Sequence, residues 1–140
     1  MDSQLKNMPQ RTQSKKENFL YKELTNDIIS CAINVHSILG PGLLESLYEE
    51  ALIHEFELNG ILYERQKEID FIYKNKIIGK HRIDLIADDK VLLELKTVNE
   101  IHPIHQAQIL SYLRATNIKI GLLINFNVNK LKDGIKRFII

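Results

Sequence analysis

The sequence predicts an α/β domain. Apolar residues recur every three or four positions before Gly60, and every second position from Glu68 onward. A third signal is the run Ile118-Lys119-Ile120-Gly121-Leu122-Leu123-Ile124-Asn125, which is apolar almost throughout, as in a strand covered on both faces. From Thr25, the residues Ile28, Ala32, Val35 and Leu39 lay one stripe along a helix, and Gly40-Pro41-Gly42 ends it. A second helix is expected from Leu43 to Leu58, with Leu44, Leu47, Ala51 and Phe56 toward the core and Asn59-Gly60 as its stop. Glu68 to Tyr73 and Ile77 to Ala87 read as two strands turning at Asn75, and Val91 to Lys96 as a third. Residues 103–116 read as a helix with Pro103 in its first turn, and 119–126 as a further strand. Residues 130–140, basic and partly apolar, suit a short helix or strand.

A length of 140 residues with 44% hydrophobic and 26% charged side chains fits one folded domain and excludes wholesale disorder. Residues 1–24, rich in Gln, Asn, Ser and Lys, are expected to form a flexible polar tail, leaving 25–140 as the domain. Net charge is +1, so bulk positive charge cannot be what binds a nucleic acid. The distribution is uneven: residues 27–60 hold six acids and no Lys or Arg, whereas residues 101–140 hold six basic residues and one acid. Either a locally positive surface or pairing of the two regions across the fold follows. Cys31, alone and among apolar neighbours, reads as a buried thiol. Neither a secretory leader pattern nor an apolar run of about 20 residues is present, so a soluble cytoplasmic protein, with no membrane contact, is the expectation.

The third strand carries the chemistry. Glu94 and Lys96 interrupt an apolar strand and share one face with Leu92. Charges in such a place need partners, because desolvating them costs several kcal/mol. Asp84 lies in the preceding strand. A two-residue turn would set it against Leu93, leaving Glu94 on the other face. The three-residue turn Asp88-Asp89-Lys90 pairs Ala87 with Val91 and sets Asp84 against Glu94. The latter register is the expectation. Two carboxylates that close call for a hard divalent cation, and Lys96 can attend a water or a phosphate oxygen beside it. Glu45 and Tyr48, three apart in the first turns of the second helix, share a side of it, as do Gln108 and Tyr112 of the later helix. The histidines, His36, His54, His81, His102 and His105, lack the spacing of a zinc pair, and no glycine-rich phosphate loop or serine nucleophile motif occurs.

Gly42-Leu43-Leu44-Glu45-Ser46-Leu47-Tyr48 resembles the motif that names the GxxExxY proteins. The likeness continues through Arg82-Ile83-Asp84-Leu85, Glu94-Leu95-Lys96, Gln108-Ile109-Leu110-Ser111-Tyr112-Leu113 and Gly121-Leu122-Leu123-Ile124-Asn125-Phe126, covering about residues 25–140. That family looks like a compact branch of the PD-(D/E)XK nucleases. The resemblance implies a restriction-endonuclease-like core, a mixed central sheet of about four strands flanked by helices. It also implies a nuclease hydrolysing phosphodiester bonds of DNA with Mg2+, or Mn2+. Asp84 and Glu94 would bind the metal with the Leu95 carbonyl, Glu45 would add an acidic ligand, and Lys96 would serve the attacking water. Gln108 and Tyr112 resemble a Gln-x-x-x-Tyr element of the exonuclease-type branch, and with Tyr48 they are expected at the substrate. Ile83 stands where the superfamily's motif has proline, a departure common among divergent members. The alternative is an inactive module of this fold that binds nucleic acid or a partner protein. A chain this small covers little duplex alone, which suits a homodimer.

Overall fold

In a computed structural model the structure describes residues 10–140, with side chains from Tyr21 onward. The chain forms helix α1 (Gln10–Leu39), helix α2 (Glu45–Leu58), strands β1 (Tyr63–Tyr73), β2 (Lys76–Ala87) and β3 (Val91–Lys96), helix α3 (Pro103–Thr116), strand β4 (Ile120–Asn125), a 3-10 turn (Leu131–Gly134) and strand β5 (Ile135–Ile139). The five strands form one sheet in chain order. Only β3 and β4, joined through α3, run parallel; every other pair is antiparallel. This is the mixed sheet flanked by helices that the sequence implies.

Two apolar layers hold the sheet. Ile28, Ala32 and Val35 of α1, with Leu52 and Phe56 of α2, meet Leu93, Leu95, Leu122 and Ile124 on one face. Ile109, Tyr112 and Leu113 of α3 meet Leu92 and Leu123 on the other. All six residues of β4 are buried, which explains its unbroken apolar run. Each large side chain so buried contributes about 1.5–3 kcal/mol. Gly121 lets α3 approach closely: a Cβ there would stand 3.1 Å from Ile109 Cδ1 and 3.2 Å from Leu113 Cδ1. Cys31 is buried within the α1 layer. Burial pushes its thiol up to about 11, with Glu55 and Asp27 adding to the rise, so it is inert.

Several expectations change. The tail expected over residues 1–24 lies outside the described residues as far as position 9, but from Gln10 the chain is helical. Tyr21 and Leu24 pack against the core, so they extend the α1 stripe backward at the same spacing. Leu44 and Leu47 are exposed rather than core-facing. Helix α2 starts only at Glu45, with Leu44 extended at its N-cap, and its inward row is Tyr48, Leu52 and Phe56. Strand β1 begins at Tyr63, five residues before the alternating pattern. The basic end is a strand, β5, and makes a fifth member of the sheet. Its Lys136 and Arg137 are exposed on the edge, where charge discourages pairing with another chain.

Candidate active site

The β2–β3 register decides whether a site exists. Ala87 pairs with Val91, Ile86 with Leu92 and Leu85 with Leu93, the three-residue register. Asp88 and Asp89 both take positive φ (50° and 55°), a conformation Asp tolerates better than most residues, and Lys90 N–H donates to the Ala87 carbonyl at 3.0 Å. Beyond Leu85 and Leu93 the regular ladder stops, and side chains replace it. The Leu95 N–H donates to Asp84 Oδ2 at 2.8 Å, and the Asp84 N–H donates to Glu94 Oε1 at 3.1 Å. Each carboxylate thus accepts from a backbone amide of the other's strand, which holds the two side chains across the broken ladder.

The site spans several elements. Glu94 is only 7% exposed; Asp84 and Lys96 are half-buried. Burial, then the charge of Asp84, pushes the Glu94 carboxyl up to about 8, with Glu45 adding to the rise and the Asp84 amide and Lys96 opposing it. Burial also raises Asp84; the Leu95 amide and Lys96 oppose that rise, and Glu49 adds to it. Glu45, at the start of α2, is raised by burial and by Asp84 and Glu49, and pulled back by Lys96. Glu94 therefore feels the charges of Asp84, Lys96 and Glu45, and Glu45 those of Asp84 and Lys96. Asn125, buried at the end of β4, fixes the chain leaving Lys96. Its Oδ1 accepts from Val98 N–H at 3.1 Å, and its Nδ2 donates to the Val98 carbonyl at 2.8 Å.

A family model described as the PD-(D/E)XK nuclease superfamily matches residues 22–138. The chain belongs to the PD-(D/E)XK nuclease superfamily. No curated protein and no solved structure matches it. PD-(D/E)XK nucleases usually use divalent metals, and the donors here suit one. They are oxygens, and those of Asp84 and Glu94 lie close enough that the charge of Asp84 raises the Glu94 carboxyl, a repulsion that a cation would relieve. The cage is incomplete as it stands. Among the described residues no three His, Cys, Asp or Glu side chains are arranged to hold a metal. One oxygen each of Asp84 and Glu94 is turned onto a backbone amide.

The surroundings of Asp84 and Glu94 hold features that the sequence pattern does not mark. Glu49, one turn after Glu45, is buried; its Oε2 accepts from Arg65 Nη2 at 2.8 Å and its Oε1 from Gln66 Nε2 at 2.6 Å. Gln66 has φ 50°, unusual for a residue of its type. It lies on β1 opposite Asp84, between the pairs Arg65–Leu85 and Lys67–Ile83. Alternation breaks there: Leu85 packs against the α1–α2 layer but Ile83 against the α3 layer. The spacing of Glu49 from Glu45 was a usable signal; nothing in the sequence marks Gln66.

The other expected substrate contacts separate. Tyr48 is 0% exposed and does not reach a substrate, which corrects its assignment. Its ring stacks on Phe126 at 4.5 Å, and its hydroxyl donates to the Gly40 carbonyl at 2.6 Å and accepts from Leu43 N–H at 3.2 Å. It thereby fastens the turn that positions Glu45, where Gly40 and Gly42 take φ 67° and 100°. Tyr48→Phe is expected to lower stability by about 1–3 kcal/mol, because two backbone groups lose their partner. An unchanged urea midpoint would show that the hydroxyl holds nothing. Tyr112 is buried beside His81, its hydroxyl 3.2 Å from Nδ1; burial, Glu94 and Asp84 raise its pKa. Gln108 is half-buried on the same helix.

Proposed function

We propose that the protein is a metal-dependent nuclease hydrolysing phosphodiester bonds of DNA with Mg2+ or Mn2+. The observation that carries this reading is the pairing of Asp84 with Glu94 beside Lys96 on a broken ladder. Asp84, Glu94, the Leu95 carbonyl and Glu45 would hold the cation; once bound, it would lower the pKa of a water and stabilise charge developing on the phosphate. Lys96 offers hydrogens on the same strand face as Glu94. It orients the attacking water and neutralises a phosphate oxygen as the water oxygen bonds to phosphorus and gives its proton to solvent, while the bond from phosphorus to the sugar oxygen breaks and that oxygen takes a proton from solvent. Gln108 is suited to a backbone phosphate. Tyr112, buried against His81, acts as a positioning residue rather than a contact.

A second reading, an inactive module binding nucleic acid or a partner protein, is favoured by the incomplete metal cage. Calorimetry separates the two. Micromolar to millimolar Mn2+ or Mg2+ binding that Asp84→Asn abolishes, together with cleavage of single- or double-stranded DNA, is expected. A protein that takes up neither ion and cuts neither form is the module. Among the described residues no helix is long and apolar enough to cross a membrane.

A further inference from the structure

Beyond Asp84 the β1–β2 hairpin leaves the sheet. Strand β2 pairs with β3 only from Leu85 to Ala87, so its outer half has β1 as its strand neighbour and no other. From Asp84 to Lys76 this outer half extends roughly 25 Å, at about 3.3 Å per residue. Between Phe71 and Asp84 the chain carries Lys74, Lys76, Lys80 and Arg82 and no acid. Nearer the root, acids offset two of these: Asp70 Oδ1 is 3.5 Å from Lys80 Nζ, and Glu68 stands opposite Arg82. Lys74 and Lys76, at the tip, face no acid across the ladder, and Lys76 lies opposite Tyr73.

The tip is also apolar. Ile72, Tyr73, Ile77 and Ile78 are each more than half exposed, and Lys74 Nζ lies 5.4 Å from the centre of the Tyr73 ring. Its turn is tight, with Lys74 and Asn75 at φ 47° and 68°. Its root is anchored: Phe71 packs edge-on to His81 at 5.1 Å, and His81 in turn meets Tyr112 of α3 at 5.8 Å. A short, anchored ribbon ending in two unopposed cations, an aromatic ring and isoleucines is matched by a partner with regular negative charge and flat apolar faces. The ribbon is continuous with the strand that bears Asp84, so a polyanion held at the site and running along β2 meets the tip.

We propose that the β1–β2 hairpin is a nucleic-acid-gripping arm, in which Lys74 and Lys76 contact backbone phosphates and Tyr73 packs on a sugar or base. At about 3.4 Å per step, those phosphates lie roughly seven steps from the one held at Asp84 and Glu94. This rests on the nuclease reading of the same strand, but its test needs no turnover. Fluorescence anisotropy with a labelled mixed-sequence DNA duplex, and with its single strand, is run in EDTA across a KCl series. K74E/K76E is expected to weaken the tighter of the two complexes at least tenfold and to make the salt slope shallower by about two, close to 0.9 per phosphate on a duplex. K74R/K76R is expected to keep both properties, and Tyr73→Ala to weaken binding with the slope unchanged. Native-like affinity and slope in K74E/K76E would overturn the arm and leave the metal site untouched. Failure to cut DNA with metal would remove the nuclease reading and leave the arm standing. If light scattering shows that K74E/K76E instead dissociates an oligomer, with DNA affinity intact, the tip is a contact between copies and the proposal fails.

Discussion

Lys96→Ala is expected to remove about 10²–10³-fold of the cleavage rate, the loss seen when one donor to a developing negative charge is deleted. Metal binding should survive, because Lys96 is a cation and supplies no ligand. Asp84→Asn should remove both metal binding and cleavage, yet leave the protein at least as stable at neutral pH. Its amide oxygen can still accept from Leu95 N–H, the bond Asp84 Oδ2 makes at 2.8 Å, while the half-buried charge of Asp84, which pushes the Glu94 carboxyl up, disappears. An inactive variant that melts higher is what a site built for chemistry predicts, since groups placed for reaction are strained in its absence. Single-turnover cleavage, Mn2+ calorimetry and thermal melts on the same three proteins check this. A Lys96→Ala enzyme that cuts at the native rate gives Lys96 no part in the reaction. An Asp84→Asn protein much less stable than the native one makes Asp84 a structural acid.

The amino-acid pattern disclosed the sheet and its helices because burial enforces periodicity. Continuous apolar residues in β4, and the alternation of Ile69 and Phe71 with exposed Asp70 in β1, follow from which faces are covered. The Asp84–Glu94 register was readable only by adding chemistry to pattern. Two turns are open on spacing alone, and only the three-residue one sets the acids Asp84 and Glu94 against each other. The fate of Tyr48 was not readable. Spacing put it beside Glu45 on α2, but which way that side faced depended on Phe126, far along the chain. Gln66 was invisible for a stronger reason. Its positive φ is a local cost that tertiary contacts override, here the bond from its amide to Glu49. Glu49 was visible as a helical neighbour of Glu45, but its burial depends on Arg65, sixteen residues away.

Metal-free protein is expected to lose stability as pH rises from about 5 to 8, the opposite of the usual behaviour of acids paired with cations. The sign follows from Glu94. Its carboxyl is pushed up to about 8 in the folded chain, from an ordinary 4.5. Between those values the folded state holds a proton that the unfolded state has released, so raising the pH favours unfolding. The stabilisation is complete below about 4.5 and gone above about 8. One unit is worth about 1.4 kcal/mol, and part of the rise comes from the neighbouring Asp84 charge, so the loss should be on the order of 2–4 kcal/mol. Glu94→Gln should flatten this slope, because a neutral amide has no proton to lose. Saturating Mg2+ should cancel it too, since the cation replaces the proton and binds better as the carboxyl groups deprotonate. Urea unfolding at intervals across this range, in EDTA and in Mg2+, measures both effects. Stability that climbs with pH in EDTA would mean that Glu94 is ionised in the folded protein, and that neither a proton nor a metal is needed to hold it beside Asp84.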